Sequence, residues 1–135
     1  MGARSKARQR ALDALYAADL RNESAADNLA HAVAAGEGPS NDYTAVLIRG
    51  VVEHLPKIDE LLSGYSQAWT LDRMPAVDRN VLRIGIWELL WADDVPDGVA
   101  VSEAMALVQQ LSTDESPAFV NGILGAIQRD KPTLV

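Results

Sequence analysis

The sequence predicts an all-α protein of about seven helices. Apolar residues recur at helical spacings along almost the whole chain, and almost nowhere do they alternate as a strand would require. The 21 alanines and 16 leucines favour helix intrinsically, and the 18 valines and isoleucines fall mostly at helical spacings rather than in β runs. Serine and proline also stand where helices should begin, at Ser24, Pro56, Ser116 and Pro117.

The first helix is expected from about Ser5 to Arg21, with Leu12, Leu15, Tyr16 and Leu20 on one stripe. Ser24 is placed to cap a second helix ending near Gly36, with Leu29 and Val33 four residues apart. GEGPSN is read as a loop. From Asp42 the set Tyr43, Val46, Leu47, Val51 and Leu55 marks a third helix, with Gly50 on the same face and suited to close packing. Pro56 ends that helix or starts the fourth, which places Ile58, Leu61, Leu62 and Tyr65 on one side. SQAWTLDRM connects onward.

The longest apolar block, MPAVDRNVLRIGIWELLWADDVP, is the expected central helix, burying Val77, Val81, Leu82, Ile84, Leu89 and Leu90. Asp94, Pro96 and Gly98 form a turn, and a sixth helix follows on Val101, Met105 and Val108. The seventh begins with Ser116 as cap and Pro117 as first residue, turns Val120, Ile123, Leu124 and Ile127 inward, and frays after Arg129.

At 135 residues the chain fits one domain, residues 1–135, with one core. No apolar run reaches the roughly 20 residues that span a bilayer, and no secretory signal opens the chain, so the expected location is the cytoplasm without membrane contact. The absence of cysteine excludes disulfides, zinc ribbons and cysteine nucleophiles. His31 and His54 fall on different expected helices, without the spacing of a metal or triad site. DDVPDG fits a calcium loop at Asp93, Asp97 and Gly98 but fails at Val95 and Ala104. With no glycine-rich phosphate loop and no G-x-S-x-G elbow, neither catalysis nor a cofactor or metal has an address.

The charge is unevenly spread. Net charge is −7, yet the first twelve residues carry Arg4, Lys6, Arg8 and Arg10 with no acid, leaving 8 basic against 19 acidic residues, or −11, in the remainder. Such an arm suits a polyanion, although a solvated terminus has the same composition. Cations at a helix start oppose the macrodipole, so something other than helix stability favours them there. Trp87 and Trp91, four apart, are expected to pack in the core or at a dimer contact. Phe119 sits at the edge of its helix stripe, where it packs or stacks on a base.

Three stretches in order, ARQRALDALYAADL, VDRNVLRIGIWELLWADDVP and AVSEAMALVQQLSTDESPAFVNGILGAI, make the chain resemble the NusB family of bacterial transcription antitermination factors. The resemblance covers nearly the full length. It implies two packed antiparallel helical bundles, no catalytic activity, and binding to the single-stranded boxA element of ribosomal RNA transcripts. That binding would be shared with the ribosomal protein NusE and connect indirectly to the RNA polymerase elongation complex. Carried over residue by residue, it makes Arg4, Lys6, Arg8 and Arg10 phosphate contacts, which position without reading sequence. Tyr16 and Tyr65 become aromatic neighbours of the RNA; Glu115, Phe119 and Asn121 become the base-facing edge of the last helix; Asp78 falls on the ribosomal-protein side. The arm is shorter than the family pattern. Two other readings compete: a helical RNA-binding module of a ribosomal RNA methyltransferase, and an adaptor that binds protein only. The tryptophans or the first helix suit a homodimer as well as a heterodimer.

Overall fold

The computed structural model describes residues 2–38 and 42–134, and of Asp42 the backbone alone. Among these residues seven helices follow in order: α1 (Ala3–Arg21), α2 (Ala25–Ala34), α3 (Asp42–Glu53), α4 (Leu55–Tyr65), α5 (Ala76–Trp91), α6 (Asp97–Leu111) and α7 (Ser116–Leu134), with one 3-10 turn at Leu71–Arg73. There is no strand among the described residues. Residues 39–41 of the expected GEGPSN loop lie outside them.

Local chemistry accounts for most boundaries. Asn22 ends α1 in the left-handed region at φ 55°, a conformation asparagine tolerates, and its N–H closes on Ala18 and Asp19. The Ser24 Oγ accepts the Asp27 N–H at 3.2 Å, as a capping serine should. Pro56 lies in the first turn of α4, where its missing N–H costs nothing. Two expectations at α7 are corrected. Ser116 is the first helical residue rather than the cap, and its Oγ accepts the Thr113 N–H at 3.3 Å. The helix does not fray after Arg129 but continues to Leu134 through Pro132. Lys131 Nζ on Asp97 Oδ1 at 2.8 Å, and the Tyr65 hydroxyl donating to Asp130, tie that end to α6 and α4.

Helices α1, α2 and α3 pack together; α4 and α6 each pack on α5 and α7; and α5 also contacts α1 and α3. Residues 80–90 of α5 are all buried, so it is enclosed on every side, as a helix apolar around most of its circumference must be. Gly50 lets α3 approach it: a Cβ there would lie 2.2 Å from Trp87 Cε2. Trp91, half-buried at the end of α5, stacks on His54 with ring centroids 4.1 Å apart.

The core faces of α1 and α6 differ from the expected ones because alanines define them. Ala7, Ala11, Leu15 and Ala18 share the buried side of α1, while Leu20, on the opposite side at 100° per residue, is 59% exposed. In α6 the buried set is Ala100, Ala104, Leu107 and Val108, with Val101 and Met105 only half-buried. Val33 and Val46 are likewise exposed rather than buried. The expected Leu12, Leu15 and Val108 are buried as well, and the small side chains between such residues let the backbones come close.

A charged network joins the C-terminal end of α1 to the N-terminal halves of α4 and α5. Arg79 Nε and Asn80 Nδ2 each donate to Asp19 Oδ2 at 2.9 Å, and Arg83 grips both Asp59 oxygens at 2.9 and 3.0 Å. Burial disfavours ionised Asp19, but the hydrogen bonds from Asn80 and Arg79 and the charges of Arg83 and Arg79 outweigh it, holding its pKa below the usual carboxylate value.

Two outcomes follow from this packing. Gly50→Ala should lower stability by about 1–2 kcal/mol in denaturant melts, because overpacking against Trp87 exceeds the helix-propensity gain of alanine. Asp19 has a lower pKa folded than unfolded, so its network stabilises fully above about pH 4 and is lost as pH falls below that. Thermal melts between about pH 6 and pH 2 should show a shallower acid limb for Asp19→Asn than for the parent.

Candidate nucleic-acid interface

The four cations of the N-terminus lie on α1 itself, not on a free arm. At 100° per residue, Arg4 and Arg8 share one face and Lys6 and Arg10 the other. The first face turns toward α3, α5 and α6. Arg8 is 3% exposed: its Nε and Nη2 take the two carboxylate oxygens of Glu88 at 2.8 and 2.9 Å, and its Nη1 takes Glu103 Oε1 at 3.1 Å. Burial disfavours its charge, yet the hydrogen bond and charge of Glu88 hold its pKa above the ordinary arginine value. The expectation that Arg8 contacts phosphate is therefore corrected, because its donors are spent inside the protein. Arg8 fastens the fold.

Arg4 sits over the same cluster at the surface. Its guanidinium lies 4.2 Å from the centroid of the Tyr43 ring and donates through Nη2 to Asp94 Oδ2 at 2.7 Å. Tyr43 in turn donates its hydroxyl to Glu88, and burial, then that hydrogen bond, push its pKa far above the ordinary tyrosine value. Ser5 Oγ donates to Glu103 at 2.5 Å. Lys6 and Arg10 are exposed on the outward face, and Tyr16 is half-buried further along the helix.

The other expected residues gather at the α4–α7 side. Tyr65, Phe119 and Ile123 line a shallow groove of about 550 Å³ together with Gly64, Ala118 and Gly122. The half-buried Phe119 meets Trp69 edge to face, with centroids 4.7 Å apart, so part of the ring packs and part lines the groove. Glu115 is exposed one turn before Phe119, its carbonyl accepting the Phe119 N–H at 3.3 Å. Asn121 is exposed too, but 200° around the helix from Phe119, and so belongs to the opposite shoulder of α7. The expected single base-facing edge is thus split.

Asp78 departs furthest from expectation. It is fully buried, its Oδ1 accepting from Ser112 Oγ, which in turn accepts from Ser116 Oγ at 3.0 Å. A side chain so enclosed cannot be a surface contact for a protein partner in this conformation; it fastens the α6–α7 junction. Its Oδ2 has no hydrogen-bond partner among the described residues. Sequence reasoning missed Tyr43 and Asp94, which it placed only in a helix stripe and a turn; nothing local marks either as a neighbour of Arg4. No group of three or more histidine, cysteine, aspartate and glutamate side chains among the described residues is arranged to hold a metal ion, and no described helix is long and apolar enough to cross a membrane.

Comparison with known proteins agrees along the whole chain. The NusB family model matches residues 5–129. The transcription antitermination protein NusB of a Nocardioides species is 73% identical over 134 residues, covering 99% of both chains, and that of Thermobifida fusca is 53% identical over 133 residues, covering 98% of this chain and 94% of its own. Among solved structures, NusB from T. maritima superposes with a TM-score of 0.82 at 34% identity, covering 94% of this chain and 91% of that one. A chain from a complex of antitermination factors NusB and NusE with double-stranded RNA gives 0.80 at 30% identity, covering 96% and 98%.

The division of the α1 cations has a direct test. Arg8→Ala leaves Glu88 buried without its guanidinium and should cost about 3 kcal/mol or more in denaturant melts. Replacing Arg4, Lys6 and Arg10 by alanine together should barely move the same transition.

Proposed function

This chain belongs to the NusB family, and we propose that it acts as a transcription antitermination factor of the cytoplasm. In this reading it binds single-stranded boxA RNA of ribosomal RNA transcripts jointly with the ribosomal protein NusE, and through that assembly reaches the elongating RNA polymerase. The chain serves as one RNA-binding unit and catalyses no reaction. The observation that carries this reading is the 73% identity, end to end, with a named antitermination protein.

The site's chemistry supports it. Arg4, Lys6 and Arg10, on the exposed start of α1, are the proposed phosphate contacts, with Tyr16 beside their path. Tyr65 and Phe119 offer aromatic faces on which an unstacked base can lie, with Glu115 as a nearby acceptor and Asn121 reading from the other shoulder of α7. Three cations on a body of strongly negative charge leave little net attraction for a polyanion. A basic ribosomal partner would cover acidic surface and extend the positive path, so the chain alone binds weakly and the pair binds tightly.

The experiment is a titration of labelled single-stranded boxA RNA at several salt concentrations, with and without NusE. NusE should tighten RNA binding, and RNA should tighten the protein pair by the same factor, as linkage requires. Replacing Arg4, Lys6 and Arg10 by alanine should reduce the log–log salt slope by about two, at roughly 0.7 per single-strand phosphate contact. A coupling factor near one, or an unchanged slope, would sink the shared RNA surface.

A further inference from the structure

We propose that Asp94 is a resident stand-in for an RNA phosphate: its carboxylate occupies the guanidinium of Arg4 in the free protein and is exchanged for a phosphate oxygen when RNA binds. This rests on the reading of Arg4 as a phosphate contact and adds to it a residue that sets how readily that contact forms.

The two arginines of one helix face differ in how they are held. Arg8 is clamped through two nitrogens on Glu88 with both side chains almost wholly buried, 3% and 1% exposed. Its pairing cannot be exchanged without opening the core. Arg4 is held by Asp94 through Nη2 alone, and the side chains are 47% and 67% exposed. An exposed pair of this kind is screened by water and salt and is weak. A phosphate group presents several oxygens to the same planar fork and can take two donors side by side, so it competes well against a carboxylate that takes one.

The guanidinium is meanwhile kept in place by something other than its anion. It lies over the Tyr43 ring at 4.2 Å, and Tyr43 is fixed by its hydroxyl on Glu88, the residue that also clamps Arg8. Tyr43 is therefore a platform anchored in the buried network, on which Arg4 can change anions without losing its position. The local field explains why an anion is wanted there at all. The first turn of α1 contains no acidic residue, and Arg4 and Lys6 stand near the helix end that already carries the positive pole of the macrodipole. Asp94, arriving from the α5–α6 turn, supplies the missing negative charge. Its pKa is held below the ordinary value, first of all by the Arg4 hydrogen bond, so it is ionised and in competition throughout the neutral range.

The test is a double-mutant cycle read by anisotropy of labelled single-stranded boxA RNA, using the intact chain bound to NusE. Asp94→Asn should tighten binding about threefold at low salt, the gain shrinking as salt rises. Asp93→Asn, one residue away and outside the ion pair, removes the same charge and should give a clearly smaller gain. Arg4→Ala should weaken binding, and adding Asp94→Asn to it should restore nothing, because the exchange needs the guanidinium. An Asp94→Asn gain that persists undiminished without Arg4, or that Asp93→Asn equals, would show general charge repulsion and overturn the exchange; so would no gain at all. If Arg4→Ala itself leaves binding unchanged while the Lys6→Ala, Arg10→Ala pair weakens it, Arg4 is no phosphate contact and the exchange falls while RNA binding by α1 stands. If none of the three cations matters, the RNA reading of α1 falls with it.

Discussion

The buried pair of Arg8 and Glu88 is the constraint on which the arrangement of this molecule turns. Two charges removed from water are costly unless geometry and further hydrogen bonds compensate, and here both do. Arg8 meets both oxygens of Glu88 and reaches Glu103, while Tyr43 gives Glu88 another donor. One cluster thereby fixes α1, α3, α5 and α6 relative to one another. Ala7 and Ala11, flanking Arg8, allow α1 the close approach that such short bonds need. At the other end of α1, Asp19 performs a similar task with Arg79, Arg83 and Asn80. The first helix is thus fastened to the central one at both ends by charge, with an alanine-rich seam between.

This fastening decides what the basic N-terminus can do. On a rigid helix, cations are presented in fixed positions and lose little freedom when they meet a ligand, unlike those of a flexible tail. The expense is electrostatic, since three cations in the first two turns of a helix oppose its dipole. Glu88, Glu103 and Asp94 offset it from neighbouring elements. Arg8 is neutralised inside the core, and Lys6 and Arg10 stand on the outer face. Arg4 stands at the boundary between them.

The helices, the Ser24 cap, a helix boundary close to Pro56 and the close approach at Gly50 were legible in the sequence because each depends on residues within a turn or two, or on a strong period, although Leu55, expected in the third helix, opens α4 instead. The exact core faces of α1 and α6 were less so. Ala7, Ala11, Ala18, Ala100 and Ala104 carry a weak hydrophobic signal, and a stripe drawn through the larger residues is rotated toward Leu20, Val101 and Met105. Of the candidate site, the four cations were legible as a group and Tyr65 and Phe119 were singled out separately through the family resemblance; that the two rings line one groove, and that the cations divide between two faces, was not. The burial of Arg8 and Asp78 was not, because a buried charge looks like an exposed one until its partner, eighty residues away for Arg8, is placed beside it.

The same distinction explains what the family motifs encode. In VDRNVLRI, Asp78 accepts from Ser112, Arg79 holds Asp19 and the carbonyls of Leu71 and Met74, Asn80 donates to Asp19, and Arg83 grips Asp59. Every polar side chain of that stretch is committed inward. In FVNGILG the apolar positions Val120, Ile123 and Leu124 are core, and only Phe119 and Asn121 offer side chains to the surface, on opposite shoulders. Motifs so constructed specify how the helices lock together, and the likeness they carry is foremost a likeness of fold. In the proposed reading, chemistry toward RNA comes from side chains at the surface rather than from this lock. The proposed positions are Arg4, Lys6 and Arg10 of α1, Tyr65, and the exposed edges at the start of α7, where a substitution can alter binding without first unfolding the protein that presents it.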